Sequence, residues 1–98
     1  MVSEVNKESL ADVVAIMKLL SNPTRLGALC LMLEDEISVS DLSKKLEIEQ
    51  TALSQHLKML RDNDLVEVRR DHRTLYYSSK NKNILTLIKT LKDLYCQP

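Results

Sequence analysis

The chain has 98 residues, with 14 acidic and 14 basic side chains and a formal net charge of zero. A chain of this length predicts one domain, residues 1–98, with a modest core that benefits from a partner chain. Phe and Trp are absent, so the core must be aliphatic, and one Gly with two Pro favours helices over a turn-rich sandwich. No signal peptide or membrane-spanning run is recognisable, so we expect a cytoplasmic protein without a membrane partner, whose two cysteines are thiols at rest.

The charges are unevenly distributed along the chain. Residues 1–49 carry nine acids and five bases, a net charge of −4, whereas residues 50–98 carry five acids and nine bases, a net charge of +4. The basic half can attract a polyanion through its local field although the whole chain is neutral. Taken alone, this asymmetry is a weak indication of nucleic-acid binding.

The N-terminal third predicts two helices. Apolar residues recur at i, i+3, i+4 and i+7 over residues 8–20, and the apolar face of this helix is wider than one core requires. Asn22 and Pro23 are typical of a helix start, so a second helix is expected there. Because carboxylates oppose the dipole at a helix C-terminus, the acidic run 34–36 predicts a solvated turn.

Residues 40–62 predict a helix-turn-helix, preceded by a very short strand at Ile37 and Val39. Ser40 can cap the first helix of the pair, and leucines line one side of the second. The opposite side of the second helix carries short or amide side chains that suit a major groove. An ordinary helical hairpin with a solvated face has the same pattern, so this stretch alone leaves both interpretations open.

After the helix-turn-helix the apolar period changes from 3.6 to 2. Residues 65–79 form two β-rich runs around a polar tip at 71–73, which predicts a two-stranded wing. Arg69 and Arg73 lie near that tip, where arginines can contact phosphates or the minor groove. The alternative is an ordinary hairpin with charged edges. A last helix is expected over about residues 83–96.

The order of these elements is that of a winged helix-turn-helix: mainly α with a small β-hairpin. Double-stranded DNA is therefore the expected partner, and no enzymatic activity is expected. We expect Ser54 and Gln55 to read base edges from the second helix, and Gln50 and Thr51 to lie at its start. Phosphate contacts are expected from Lys58, Arg69 and Arg73. His56 is expected to hydrogen-bond or contact a phosphate, or else to be half buried.

Several stretches resemble the ArsR/SmtB family of bacterial transcriptional repressors. The resemblance covers about residues 10–96, and the matching motifs are residues 22–25, 37–42, 52–61 and 65–77. It implies a homodimer joined through the first and last helices, at 8–20 and 83–96. Such a dimer would place two recognition helices in successive major grooves.

The chain departs from this family at its metal-binding positions. Many members bind metal through two cysteines where this chain has Ser38 and Ser40. Others use His and carboxylate ligands on the last helix, and that helix has one Asp and neither His nor Glu in this chain. Neither His56 nor His72 has a ligand partner three or four residues away. We therefore expect no metal and no other cofactor. Glu49 stands where the family usually has Ser, and Glu caps a helix poorly.

The two cysteines carry a narrower resemblance. Cys30 and Cys96 are similar to the paired cysteines of the HlyU, BigR and SqrR type of member, which sense oxidants or reactive sulfur species by linking the two thiols. The resemblance implies a regulator whose operator affinity is switched by oxidation or persulfide linkage of this pair. Lys89 and Lys92 lie close to Cys96 in helical azimuth, and nearby ammonium groups favour the reactive thiolate.

Two other functions stay open from the sequence. A lone cysteine on a helix is most often a small buried hydrophobe, so the chain can be a redox-insensitive regulator whose cysteines only pack. The apolar helix faces also fit a helical protein-interaction module. A thiol oxidoreductase is not expected, because no closely spaced cysteine pair is present.

Overall fold

The computed structural model describes residues 6–96. Its elements in chain order are α1 (Lys7–Leu20), α2 (Pro23–Leu31), β1 (Ile37–Ser38), α3 (Val39–Leu46), α4 (Gln50–Asp62), β2 (Glu67–Asp71), β3 (Thr74–Ser78) and α5 (Lys82–Tyr95). The three strands form one antiparallel sheet in the order β1-β3-β2. This arrangement confirms the predicted mainly helical, winged helix-turn-helix class. Within residues 6–96 no helix has the length and apolar character to span a membrane.

Three of the helices begin at an asparagine. The side-chain oxygens of Asn6, Asn22 and Asn81 accept hydrogen bonds from first-turn amides, the shortest of them from Glu8 at 2.7 Å. These bonds satisfy N–H groups that have no partner within the helix. Because Asn81 provides the last of these caps, α5 begins at Lys82, one residue before the predicted start.

The start of α3 differs from the sequence prediction. Ser38, and not Ser40, is the N-cap: its Oγ accepts a hydrogen bond from the Asp41 amide at 3.1 Å. Ser40 is exposed within the first helical turn. Val39 is already helical, so β1 ends at Ser38, one residue earlier than expected. The extended backbone of Ser38 serves both as the end of the strand and as the cap.

The short strand β1 turns the predicted hairpin into a three-stranded sheet. Ile37 pairs with Tyr77, and Ser38 pairs with Tyr76. The wing strands pair as far as Asp71 and Thr74, so the tip contains only residues 72–73. His72 adopts a left-handed backbone with φ 58°, which permits this tight connection. The wing is therefore joined directly to the strand that leads into α3.

The core is mainly aliphatic, as the composition predicted, and it also includes Tyr77 of β3. Seven large side chains from α2, α3, α4 and α5 are completely enclosed: Leu29, Leu42, Leu53, Leu57, Leu60, Ile84 and Ile88. Gly27 allows α2 to lie close to α3, since a Cβ at this position would be 2.7 Å from Leu46 Cδ2. This packing surrounds one side of α4 and leaves its other side in solvent.

Apolar side chains on α1 and α5 remain uncovered. Leu20 is the buried residue of α1. By contrast, four apolar side chains of α1 are each 48% exposed: Leu10, Val13, Val14 and Met17. Near the end of α5, Leu94 is 64% exposed and Tyr95 is 79% exposed. An uncovered apolar surface of this kind typically marks an interaction site.

The cap at Ser38 leads to a stability prediction. Ser38→Ala removes the acceptor for the Asp41 amide and should lower the free energy of unfolding by about 1 kcal/mol. Ser40→Ala is the matched control, because Ser40 is exposed and makes no cap, and it should leave stability nearly unchanged. Urea unfolding followed by circular dichroism measures both. Equal losses for the two variants would contradict the assignment of the cap.

Candidate nucleic-acid interface

Helix α4 has one buried and one exposed side. Leu53, Leu57 and Leu60 are fully buried. The exposed side carries the side chains predicted from the sequence: Gln50, Thr51, Ser54, Gln55 and Lys58. All are polar and can donate hydrogen bonds, so this side suits base edges and phosphates.

The N-terminus of α4 lacks a side-chain cap. Glu49 occupies the N-cap position but accepts no hydrogen bond from the first-turn amides. These amides carry the positive end of the helix dipole, which favours an anion such as a phosphate. The Glu49 carboxylate opposes part of that effect, because it places a negative charge beside the same amides.

The wing tip lies against the start of α4. A cleft of about 210 Å³ joins the beginning of α3, the beginning of α4 and the outer end of the wing. Its lining residues are Val39, Ser40, Gln50, Ser54, Arg73, Thr74 and Leu75. Arg73 therefore shares one surface with two of the predicted base-reading and helix-start residues. The recognition helix and the wing can contact one DNA segment together.

Arg69 has a different environment from Arg73. Its Nε lies 2.9 Å from Glu36 Oε2, its Nη2 also bonds Glu36, and its guanidinium stacks 4.6 Å from the centroid of the Tyr76 ring. This hydrogen bond lowers the pKa of Glu36 and raises the pKa of Arg69. Arg69 is thus an anchor between the wing and the acidic turn, and its charge is already paired. It is less suited to a phosphate contact than Arg73.

Two predicted contact residues on α4 have partners within the chain. Lys58 Nζ lies 2.7 Å from Asp62 Oδ2, but the pair is exposed, and such a pair is weak enough to exchange for a phosphate. His56 is half buried, and its Nδ1 lies 3.2 Å from Arg25 Nη1. His56 therefore faces α2 rather than sharing the exposed side with Gln55.

The two cysteines lie in the same region of the fold. Both are free thiols; Cys30 on α2 is half buried, and Cys96 is exposed at the end of α5. Burial raises the pKa of Cys30, a negative charge on Cys96 raises it further, and Lys92 lowers it. Cys96 and Lys92 are thus near enough to act on the Cys30 thiol. Lys89, the other expected cationic neighbour, pairs with Asp93 at 2.9 Å.

The described residues contain no cluster of side chains typical of a metal site. Within residues 6–96, no group of three or more His, Cys, Asp or Glu side chains is arranged to hold a metal ion. Ser38 is occupied as a helix cap, and the hydroxyl of a serine is a poor substitute for a thiolate ligand.

A helix-turn-helix with a polar, exposed second helix beside a basic wing defines a winged helix-turn-helix DNA-binding protein. The family model described as bacterial regulatory protein, arsR family, matches residues 22–68. The transcriptional activator HlyU of Vibrio cholerae serotype O1 is 42% identical over 94 residues, which cover 96% of this chain and 86% of that protein. The chain belongs to the ArsR family of bacterial transcriptional regulators.

Solved structures agree with this assignment. Reduced HlyU from Vibrio cholerae N16961 matches with a TM-score of 0.89 at 40% identity, covering 93% of this chain and 96% of that chain. The homodimeric winged helix-turn-helix domain of Mb0332 from Mycobacterium bovis matches with a TM-score of 0.77 at 28% identity, covering 96% and 89%. The relatives are regulators and not enzymes, so this chain is a DNA-binding transcriptional regulator.

The two parts of the interface should respond differently to substitution. Gln55→Ala removes a base-edge contact and should cost about 1–3 kcal/mol at one or two operator positions, without weakening binding to unrelated DNA. Arg73→Ala removes a phosphate contact. It should weaken binding to all sequences and reduce the slope of log K against log salt by about one. Fluorescence anisotropy with operator and scrambled duplexes, over a salt series, measures both effects.

Lys82→Ala is the control for loss of one positive charge, because Lys82 lies at the start of α5 and outside the cleft. It should leave the salt slope close to that of the parent. If Gln55→Ala and Arg73→Ala both bind operator like the parent, the assigned surface is wrong.

Proposed function

We propose that the protein is a homodimeric regulator whose operator affinity is switched by covalent linkage of Cys30 to Cys96. Oxidants or reactive sulfur species would form the link. The observation that supports this proposal is that a charge on Cys96 raises the pKa of the Cys30 thiol, as expected for two nearby thiols. The similarity to HlyU, one structure of which is described as the reduced form, supports it.

The two thiols suit different steps of the reaction. Cys96 is exposed, so it meets a dissolved oxidant first. Cys30 is half buried, and because its pKa is raised it is mainly protonated at neutral pH. The thiolate is the reactive form, so Cys30 is protected until Cys96 has been modified. Cys30 then acts as the resolving thiol.

Both inducer classes give a balanced reaction. With a low-molecular-weight persulfide, the Cys96 thiolate takes the terminal sulfur and releases a thiol; Cys30 then attacks Cys96 Sγ, forming the disulfide and releasing hydrogen sulfide. A second persulfide equivalent transfers its terminal sulfur atom, releases a second thiol and gives a trisulfide link. With peroxide, Cys96 becomes a sulfenic acid and releases water, and attack by Cys30 releases a second water. In each case the two thiols are oxidised by two electrons and the inducer is reduced.

The link joins parts of the fold with different roles. Cys30 is on α2, which packs against α4, and Cys96 ends α5, which carries uncovered apolar side chains. A bond between them constrains the core relative to the proposed dimer interface. Half-sites on DNA have a fixed spacing, so a small change in the separation of two α4 helices weakens operator binding.

The homodimer accounts for the uncovered apolar sides of α1 and α5. Leu10, Val13, Val14 and Met17 provide one continuous stripe on α1, and Leu94 and Tyr95 extend α5. Ile16 of α1 lies outside this stripe and packs partly against the core. The homodimeric domain from Mycobacterium bovis supports this assembly.

Within that dimer, we assign the exposed side of α4 to DNA reading. Ser54 and Gln55 contact base edges, and Gln50 and Thr51 lie at the start of the helix next to the sugar-phosphate backbone. Lys58 and Arg73 contact phosphates on either side. The cleft that unites Gln50, Ser54 and Arg73 supports this grouping.

The dimer interface can be tested on α1. Met17→Glu buries a carboxylate in the proposed interface and should give a monomer that no longer binds operator specifically, because an unpaired charge is costly to bury. Ala11→Glu adds the same charge on the side of α1 away from both the stripe and the core, and should remain dimeric. Sedimentation velocity and anisotropy measure assembly and binding. A parent that is monomeric at micromolar concentration would refute the dimer.

The switch can be tested by replacing each thiol. Cys30→Ser and Cys96→Ser should bind operator like the reduced parent and should not respond to persulfide or peroxide. The parent should release operator on treatment and recover with a thiol reductant. Intact-mass spectrometry should show a disulfide or polysulfide link within one chain of the parent alone. If Cys96→Ser still releases DNA on persulfide treatment, the dithiol switch fails and the cysteines only pack.

A further inference from the structure

Arg25 connects three helices. It lies in the first turn of α2, and its half-buried side chain reaches the end of α1 and the middle of α4. Its Nε donates to the Leu19 carbonyl at 2.6 Å, and its Nη2 to the Lys18 carbonyl at 3.3 Å. Its Nη1 lies 3.2 Å from His56 Nδ1. The three nitrogens of one guanidinium are thus all engaged.

The contact with α1 satisfies the end of that helix. The carbonyls of Lys18 and Leu19 belong to the last turn, where no later amide of α1 can reach them. The Ser21 amide and hydroxyl also donate to the Lys18 carbonyl, at 3.3 Å and 2.7 Å, whereas the Leu19 carbonyl accepts from Arg25. A cation at a helix C-terminus is favourable for the dipole as well. Arg25 therefore fixes the position of the last turn of α1 relative to α2.

The contact with α4 places a constraint on His56. An arginine N–H can only donate, so this contact is a hydrogen bond in the His56 tautomer whose Nδ1 accepts and whose proton is on Nε2. His56 directly follows Gln55 on the recognition helix, and its ring turns inward while Gln55 turns outward. A bond to His56 thereby restrains the rotation of α4 about its axis at the level of Gln55.

We propose that Arg25 is a positioning residue for DNA recognition, because it ties the end of α1 to His56 and so sets α4 relative to the dimerisation helix. The inference rests on the proposed roles of α1 and α4. Two recognition helices must match half-sites about 34 Å apart, so a wrong orientation of α4 caused by loss of the Arg25 contacts would misplace both helices on the DNA. The planar fork of arginine spans the three acceptors, whereas the single ammonium of lysine does not.

This role is distinct from holding the fold together. Leu53, Leu57 and Leu60 already bury one side of α4 in the core, and none of them is a hydrogen-bond partner of Arg25. The Arg25–His56 contact instead joins two partly buried polar groups at the edge of that core. Loss of this contact should change the orientation of α4 more than it changes the stability of the domain.

A double-mutant cycle on operator affinity tests the proposal. The variants are Arg25→Lys, His56→Ala and the double variant, measured by anisotropy with reduced protein at pH 8. Each single substitution should weaken operator binding about five- to tenfold. The double variant should bind no more weakly than the weaker single variant, because both substitutions remove the same Arg25–His56 contact. His56→Gln keeps an acceptor and should restore most of the affinity. Binding to a scrambled duplex should stay within about twofold, because phosphate contacts are retained.

Arg61→Lys is the control for a conservative change at an exposed arginine of α4, and it should bind operator like the parent. Sedimentation velocity and thermal unfolding should show all variants dimeric and folded. Additive losses in the cycle, a parent-like Arg25→Lys, or a loss of operator binding explained by unfolding or dissociation would each overturn the positioning role. A failure of the proposed function is distinguishable, because the parent itself would then not bind operator as a dimer.

Discussion

The burial of one side of α4 is the interaction on which the rest of the structure depends. Leu53, Leu57 and Leu60 are enclosed in the core, where α4 packs against α2 and α3, and each such leucine contributes on the order of 2–5 kcal/mol relative to alanine. The leucine spacing of three and four residues fixes the azimuth of the helix, so the opposite side faces solvent whatever residues it carries. The residues at positions 54 and 55 can therefore suit DNA contacts without affecting the packing of the core.

Periodicity and capping chemistry are local, and they predicted most of the fold. The change of period from 3.6 to 2 indicated the wing, and Asn22 with Pro23 indicated a helix start, because both patterns act within a few residues. The choice between Ser38 and Ser40 as cap was wrong for a non-local reason. Ser38 pairs with Tyr76 across the sheet, and this pairing ends the strand and decides where α3 begins. No spacing within residues 37–42 contains that information.

The candidate site was also predicted where the pattern is local and missed where the contact is not. The exposed side of α4 was identified from the positions of its residues around the helix axis, because these positions depend only on the helix repeat. The partners of Arg69 and His56 were missed, because Glu36 is 33 residues from Arg69 and Arg25 is 31 residues from His56. The acidic turn and the start of α2 looked like solvated or capping segments from sequence. Arg25 stands out in the sequence as an isolated base in the acidic half of the chain. The neighbouring residues, however, do not indicate which group accepts its hydrogen bonds.

Helix α2 is the element through which the thiol pair and the DNA-reading helix can be connected. It contacts α1, α3, α4 and α5, and it carries both Cys30 and, five residues earlier, Arg25. The proposed link from Cys30 to the end of α5 would pull on one end of a nine-residue helix whose other end contacts α1 and His56. Because the backbone hydrogen bonds of α2 join its successive turns, a displacement at Cys30 would be carried to Arg25. A change at the sulfurs would then alter the orientation of α4 with no direct contact between the thiols and the DNA.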